Sequence, residues 1–128
     1  MRPEVLILDE PTAGLDPRGQ AEIVRNIMSY KSSFDATVIL VTHNMEEIAR
    51  SVDRIVLLSN GSIDMGGAPA QVFSETETLS ELGLAAPKAA MIAARLRTLG
   101  LSNLQGVYTI EQLRQALNDV RNGGSKNA

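Results

Sequence analysis

In the first half of the chain, short unbroken apolar runs alternate with amphipathic stretches; from residue 74 onward only helical spacing remains. Val5-Leu6-Ile7-Leu8 is too short for a lone helix and is bounded by Pro11, so it reads as a buried strand that ends in Asp9-Glu10. Asp16-Pro17 announces a helix, with the acid suited to the N-cap and proline to the first helical position. Apolar residues at Ala21, Val24, Ile27 and Met28 keep helical spacing until Ser32-Ser33 breaks it after about Lys31. Thr37-Val38-Ile39-Leu40-Val41 is a second continuous, β-branched run that reads as a buried strand, and it ends at Thr42-His43-Asn44. Asn44 can cap the next helix, with Glu47 completing a capping-box pattern and Met45, Ile48 and Val52 facing the sheet. Strand, helix, strand, helix in this order predicts βαβ units and a parallel sheet, an α/β fold.

Arg54 to Ser59 and Ser62 to Met65 flank Asn60-Gly61, the strongest short hairpin signal, because a type I′ turn needs positive φ at both central residues. Gly66-Gly67 followed by Pro69-Ala70-Gln71-Val72-Phe73 predicts a turn into a short helix. Thr76 to Leu82 reads as a short acidic helix ended by Gly83. Pro87 to Leu99 is alanine-rich, with Ala90, Ala94 and Arg97 on one line and Met91, Ile92, Leu96 and Leu99 on the apolar side. Thr109-Ile110-Glu111-Gln112 is a capping box for a last helix that should bury Ile110, Leu113, Leu117 and Val120. The tail from Asn122 is expected to be disordered.

The chain has 128 residues, 44% of them hydrophobic, enough for one modest core. A net charge of -3 with interspersed signs leaves no electrostatic footprint for nucleic acid and no polybasic membrane anchor. Cysteine is absent, so disulfides and thiolate metal sites are excluded. No apolar run approaches the ~20 residues needed to span a bilayer, and no signal-peptide core follows Met1. These features predict a soluble, cytoplasmic protein whose role in any transport is peripheral.

The chemistry concentrates on Asp9-Glu10. A strand ending in two acids delivers both to the carboxyl edge of a sheet, where open α/β folds bind ligands. Adjacent carboxylates repel unless a cation or a proton relieves them. One reading is a magnesium-dependent nucleotide hydrolase site; the other is a strand end with solvated acids. His43, the chain's one histidine, stands at the end of the second strand, on that same edge. Asp16 fits an N-cap whose worth is ~1 kcal/mol without any further role.

Leu6-Ile7-Leu8-Asp9-Glu10-Pro11-Thr12 followed by Ala13-Gly14-Leu15-Asp16 resembles the Walker B strand and D-loop of ATP-binding cassette (ABC) ATPases. Val41-Thr42-His43-Asn44 resembles their switch-histidine segment, and the hairpin after Val52 is also what that family places there. Leu82-Gly83-Leu84, Pro87, the alanine-rich helix and Thr109-Ile110-Glu111-Gln112-Leu113 are similar to the C-terminal extension of energy-coupling factor ATPases, which drive vitamin and metal uptake. The resemblance implies part of a P-loop NTPase three-layer fold with a mainly parallel sheet, a β-hairpin and an appended helical extension. It divides the chain into 1–74 (ABC ATPase domain), 75–121 (extension) and 122–128 (tail). It implies Mg2+ and ATP as ligands, with Asp9 holding the metal through water, Glu10 polarising the attacking water and His43 reaching the γ-phosphate. Asp16 would link the nucleotide sites across a dimer. The implied partners are a second ABC ATPase subunit and membrane-embedded transporter subunits, at the cytoplasmic face of the membrane, with no nucleic acid.

The same family needs a phosphate loop, G-x-x-x-x-G-K-[ST], and none occurs in these residues. Leu58-Ser59-Asn60-Gly61-Ser62 and Leu101-Ser102-Asn103-Leu104-Gln105 imitate its LSGGQ-type signature, the first in a hairpin turn and the second far downstream. The glutamine loop is missing too. Met1-Arg2-Pro3-Glu4-Val5 resembles the interior of a longer family member, so strand edges are expected to lack partners and to favour association. Two other readings remain open at this level. One is a truncated, inactive chain that acts at most as an interaction module; the other is an ABC-type ATPase of DNA repair, which shares the Asp-Glu strand.

Overall fold

A computed structural model describes residues 3–126. The chain divides into two compact units, Met1–Ser51 and Val52–Ala128. The first runs β1 (Val5–Asp9), α1 (Pro17–Phe34), β2 (Thr37–Val41) and α2 (Met45–Ser51). β1 and β2 pair in parallel from Val5↔Thr37 to Asp9↔Val41, with α1 as the crossover. A parallel pair requires such a crossover, because two-residue turns can join only antiparallel strands. The α/β class read from the apolar runs is therefore the class observed.

Both strands were expected to be buried, and here the structure differs. Leu6, Leu8, Val38 and Leu40 are half-buried, whereas Val5, Ile7, Ile39 and Val41 on the other face are exposed, Ile7 at 64%. Side chains alternate across a strand, and α1 packs on β2. Helix α1 runs three residues past Lys31, through both serines, to a cap at Asp35 in the left-handed region. Two serines cost a helix little when it is already nucleated and packed. Helix α2 buries Met45, Glu47, Ile48 and Ala49 and stops at Ser51, so Val52 follows the helix and is not on its face.

The second unit comprises β3 (Ile55–Ser59), β4 (Ser62–Gly67), α3 (Pro69–Ser74), α4 (Thr76–Glu81), α5 (Lys88–Thr98), a 3-10 turn (Ser102–Leu104) and α6 (Ile110–Lys126). The hairpin forms as predicted: Asn60 at φ 50 and Gly61 at φ 79 make the turn, and a bulge lies between Leu57 and Leu58. Phe73, Leu79 and Leu104 are fully buried. Ala89 and Ala93 of α5 pack with Leu104 and with Leu113 and Ala116 of α6. The buried line of α5 is thus alanine; of the expected apolar side, Leu96 is half-buried against this cluster, whereas Met91, Ile92 and Leu99 are exposed. Small side chains let neighbouring backbone approach closely, which the larger residues would prevent.

Ile110 and Leu117 of α6 are likewise exposed rather than buried, while Val120 is half-buried. The capping box is made: Thr109 Oγ1 accepts from Gln112 N at 3.2 Å and Gln112 Oε1 accepts from Thr109 N at 3.2 Å. The helix then continues to Lys126 through the stretch expected to be a disordered tail. Gly123 and Gly124 disfavour helix by about 1 kcal/mol each, but propagation adds a hydrogen bond per residue once the helix exists. The last two tail residues, 127 and 128, lie outside the described residues.

Candidate functional site

The end of β1 is tied to β2 by its backbone. Glu10 N donates to Val41 O at 2.7 Å, which carries the parallel ladder one residue beyond the strand. Glu10 itself has φ 47, a left-handed conformation that a residue with a side chain adopts only at a cost, of order 1 kcal/mol. That conformation breaks the strand alternation and turns the Glu10 carboxylate toward the end of β2. There, His43 Nδ1 lies 2.7 Å from Glu10 Oε1, and Thr42 Oγ1 donates to Glu10 Oε2 at 3.3 Å. Both carboxylate oxygens are therefore engaged, and the two residues singled out at the sheet edge meet.

The hydrogen bond from His43 holds the Glu10 carboxyl below its ordinary value, and the nearby imidazole charge and Thr42 act in the same direction. Glu10 is consequently an anion at neutral pH. An ionised carboxylate can only accept, so the proton of this contact sits on His43 Nδ1. In the neutral ring, Nε2 is then an acceptor. It can donate only if the ring takes a second proton or turns away from Glu10. The imidazole is open to solvent, with its side chain 82% exposed.

Asp9 ends β1 opposite Val41 and is exposed. Asp16 is not part of the Glu10–His43 cluster: its Oδ1 accepts from Gly19 N at 2.8 Å, which makes it the N-cap of α1. Among the described residues no group of three or more His, Cys, Asp or Glu side chains is arranged to hold a metal ion. The exposed carboxylate of Asp9 matches the one or two carboxylates that Mg2+ takes from protein when phosphates and water complete its shell.

The structure adds a pair that residue reading had missed. Thr12 Oγ1 donates to Glu47 Oε2 at 2.6 Å, with Thr12 3% and Glu47 8% exposed. Glu47 had been expected to close a capping box on Asn44. Asn44 Oδ1 does accept from Glu47 N at 3.3 Å, but Asn44 N donates to Thr42 Oγ1 at 3.1 Å. The acid is free of that task and crosses to Thr12. The signal in the sequence was a polar residue at a helix position flanked by buried Met45 and Ile48, which capping explained too readily.

A family model described as "AAA domain, putative AbiEii toxin, Type IV TA system" matches residues 1–49. An energy-coupling factor transporter ATP-binding protein EcfA2 from Clostridium tetani is 41% identical over 127 residues, covering 99% of this chain and 44% of the relative. Its counterpart in Caldanaerobacter subterraneus is 44% identical and covers 90% of this chain and 40% of the relative. The solved structure of cbiO1 from Clostridium perfringens, part of the ABC transporter complex cbiONQ, superposes on 70% of this chain and 36% of its own, at a TM-score of 0.54 and 34% identity. Over nearly its whole length the chain is similar to part of the ATP-binding proteins of energy-coupling factor transporters. It spans 44% and 40% of the length of these two energy-coupling factor relatives. The fold is that of an ABC ATPase. No helix among the described residues is long and apolar enough to cross a membrane.

Proposed function

We propose that these residues supply the water-activating half of an ATP-hydrolysing site in an energy-coupling factor importer, which couples hydrolysis to membrane transport of a vitamin or metal ion. In this reading residues 1–74 belong to the ATPase domain and 75–121 to its helical extension. The contact that carries it is His43 Nδ1 at 2.7 Å from Glu10 Oε1, an acid and an imidazole held together at the carboxyl edge of a parallel pair. Mg2+, held by Asp9 through water, would neutralise charge on the phosphates. Glu10, kept anionic by His43 and Thr42, can accept a proton from an attacking water at neutral pH. His43 can donate to a phosphate oxygen from Nε2 once protonated or released from Glu10. Asp16, already the N-cap of α1, would meet a second ATPase subunit across the shared nucleotide sites. Membrane-embedded subunits would hold the assembly at the cytoplasmic face of the membrane.

The experiment joins these residues to the part of the Clostridium tetani ATP-binding protein that they do not match, and measures ATP binding and turnover. Glu10→Gln should abolish turnover by ~100-fold or more while ATP binding persists. Turnover at the parent rate would remove Glu10 from the role of base.

A second reading is favoured by one observation: no G-x-x-x-x-G-K-[ST] occurs in these 128 residues. As it stands, the chain would then serve as a catalytically inactive interaction module. Measurable ATP affinity of the chain alone would refute this reading.

A further inference from the structure

The Glu10–His43 contact is exposed, so water competes for both partners and the contact alone fixes little. The backbone bond from Glu10 N to Val41 O joins the strand ends, and a buried side-chain link between the segments that follow lies behind it. Thr12 is two residues beyond Glu10, in a turn closed by Ala13 N donating to Glu10 O at 3.2 Å and Leu15 N donating to Thr12 O at 3.2 Å. Glu47 is four residues beyond His43, inside α2, anchored at its amide by Asn44 and at its carbonyl by Ser51 Oγ at 2.7 Å. Their 2.6 Å hydrogen bond is the buried side-chain link between the loop after β1 and the helix after β2. The other Glu47 oxygen, Oε1, is buried without a partner. A protein that needed only stability here would do better with two apolar side chains, since replacing a buried polar pair by apolar groups of similar shape is often neutral or stabilising. A directional bond supplies something different, a defined distance and orientation between two segments.

We propose that Thr12 and Glu47 are positioning residues: their hydrogen bond clamps the turn carrying Glu10 to the helix that follows His43, and so sets the Glu10–His43 contact. The clamp rests on the reading of Glu10 and His43 as the reactive pair. Its test uses no nucleotide, so a failure of the clamp and a failure of the ATPase reading are distinguishable.

The full chain contains one histidine, which makes the imidazole signals in nitrogen-correlated NMR unambiguous. Spectra are recorded at a pH of about 9, well above the ordinary imidazole range, and report which nitrogen carries the proton. The native chain should show mainly the Nδ1–H tautomer, imposed by Glu10. Glu10→Ala sets the reference for a released ring, mainly Nε2–H. Thr12→Val combined with Glu47→Leu removes the clamp without leaving a lone buried acid, and should move the ring to the Glu10→Ala pattern while the circular dichroism stays native. Thr12→Ser keeps the hydroxyl and should keep the native tautomer. A folded double variant that retains the Nδ1–H form overturns the clamp. A double variant that fails to fold also counts against it, because the pair would then serve folding itself. An Nε2–H ring in the native chain overturns it as well.

Discussion

Glu10 combines a left-handed backbone with a carboxylate whose two oxygens are both engaged, one by His43 and one by Thr42. Because its folded-state pKa is lowered, chiefly by the His43 hydrogen bond, the folded chain holds the charged form better than the unfolded chain does. The resulting stability is complete above the ordinary carboxylate value of 4.5 and is lost as pH falls through the lower folded-state value. Urea midpoints of the native chain should therefore fall more steeply with acid than those of Glu10→Gln. Equal slopes would mean that the contact does not exist in solution. The identity of these residues was legible before the structure, because Asp9-Glu10 and His43 stand at strand ends. Their mutual distance was not, since it depends on the left-handed turn at Glu10 and on the parallel register that brings Val41 beside it. Glu47 shows the opposite failure: a plausible local role, capping, concealed a bond to a residue thirty-five positions away.

At the scale of elements, local chemistry accounts for most beginnings and few endings. Helix α1 starts where Asp16-Pro17 places it and α6 where Thr109 and Gln112 cap each other. Asp16→Ala should lower the stability of the chain by about 1 kcal/mol, with Asp16→Ser close to neutral, as read from urea unfolding. An alanine variant as stable as the parent would show that the cap bond to Gly19 N contributes nothing. Helix ends were harder to place, because a formed helix crosses weak breakers such as Ser32-Ser33 and Gly123-Gly124 at small cost per residue. Faces were harder still. Periodicity identifies that α5 has an apolar side, yet Ala89, Ala90 and Ala93 are the buried ones. Hydropathy ranks methionine and isoleucine above alanine, whereas close helix approach selects by volume.

For the whole molecule, the described residues leave apolar surface open on both sheets. Val5, Ile7, Ile39 and Val41 line one face of the parallel pair, and Val56, Leu58 and Ile63 stand out from the hairpin. Contiguous exposed apolar surface favours association. The isolated chain should sediment as concentration-dependent oligomers, and Ile7→Lys with Ile39→Lys should reduce that association. A monodisperse monomer at all concentrations would show that these faces are inert. The chain spans 44% of the Clostridium tetani relative, and no G-x-x-x-x-G-K-[ST] occurs in its 128 residues. The sequence by itself determined the α/β order, the hairpin, the capped helices and the acids at the strand end, because these follow from near neighbours along the chain. Only the tertiary structure decided that Glu10 faces His43, that Thr12 reaches Glu47 and which helix faces are buried. Those outcomes depend on parallel pairing and close packing between residues far apart in sequence, which no local pattern encodes.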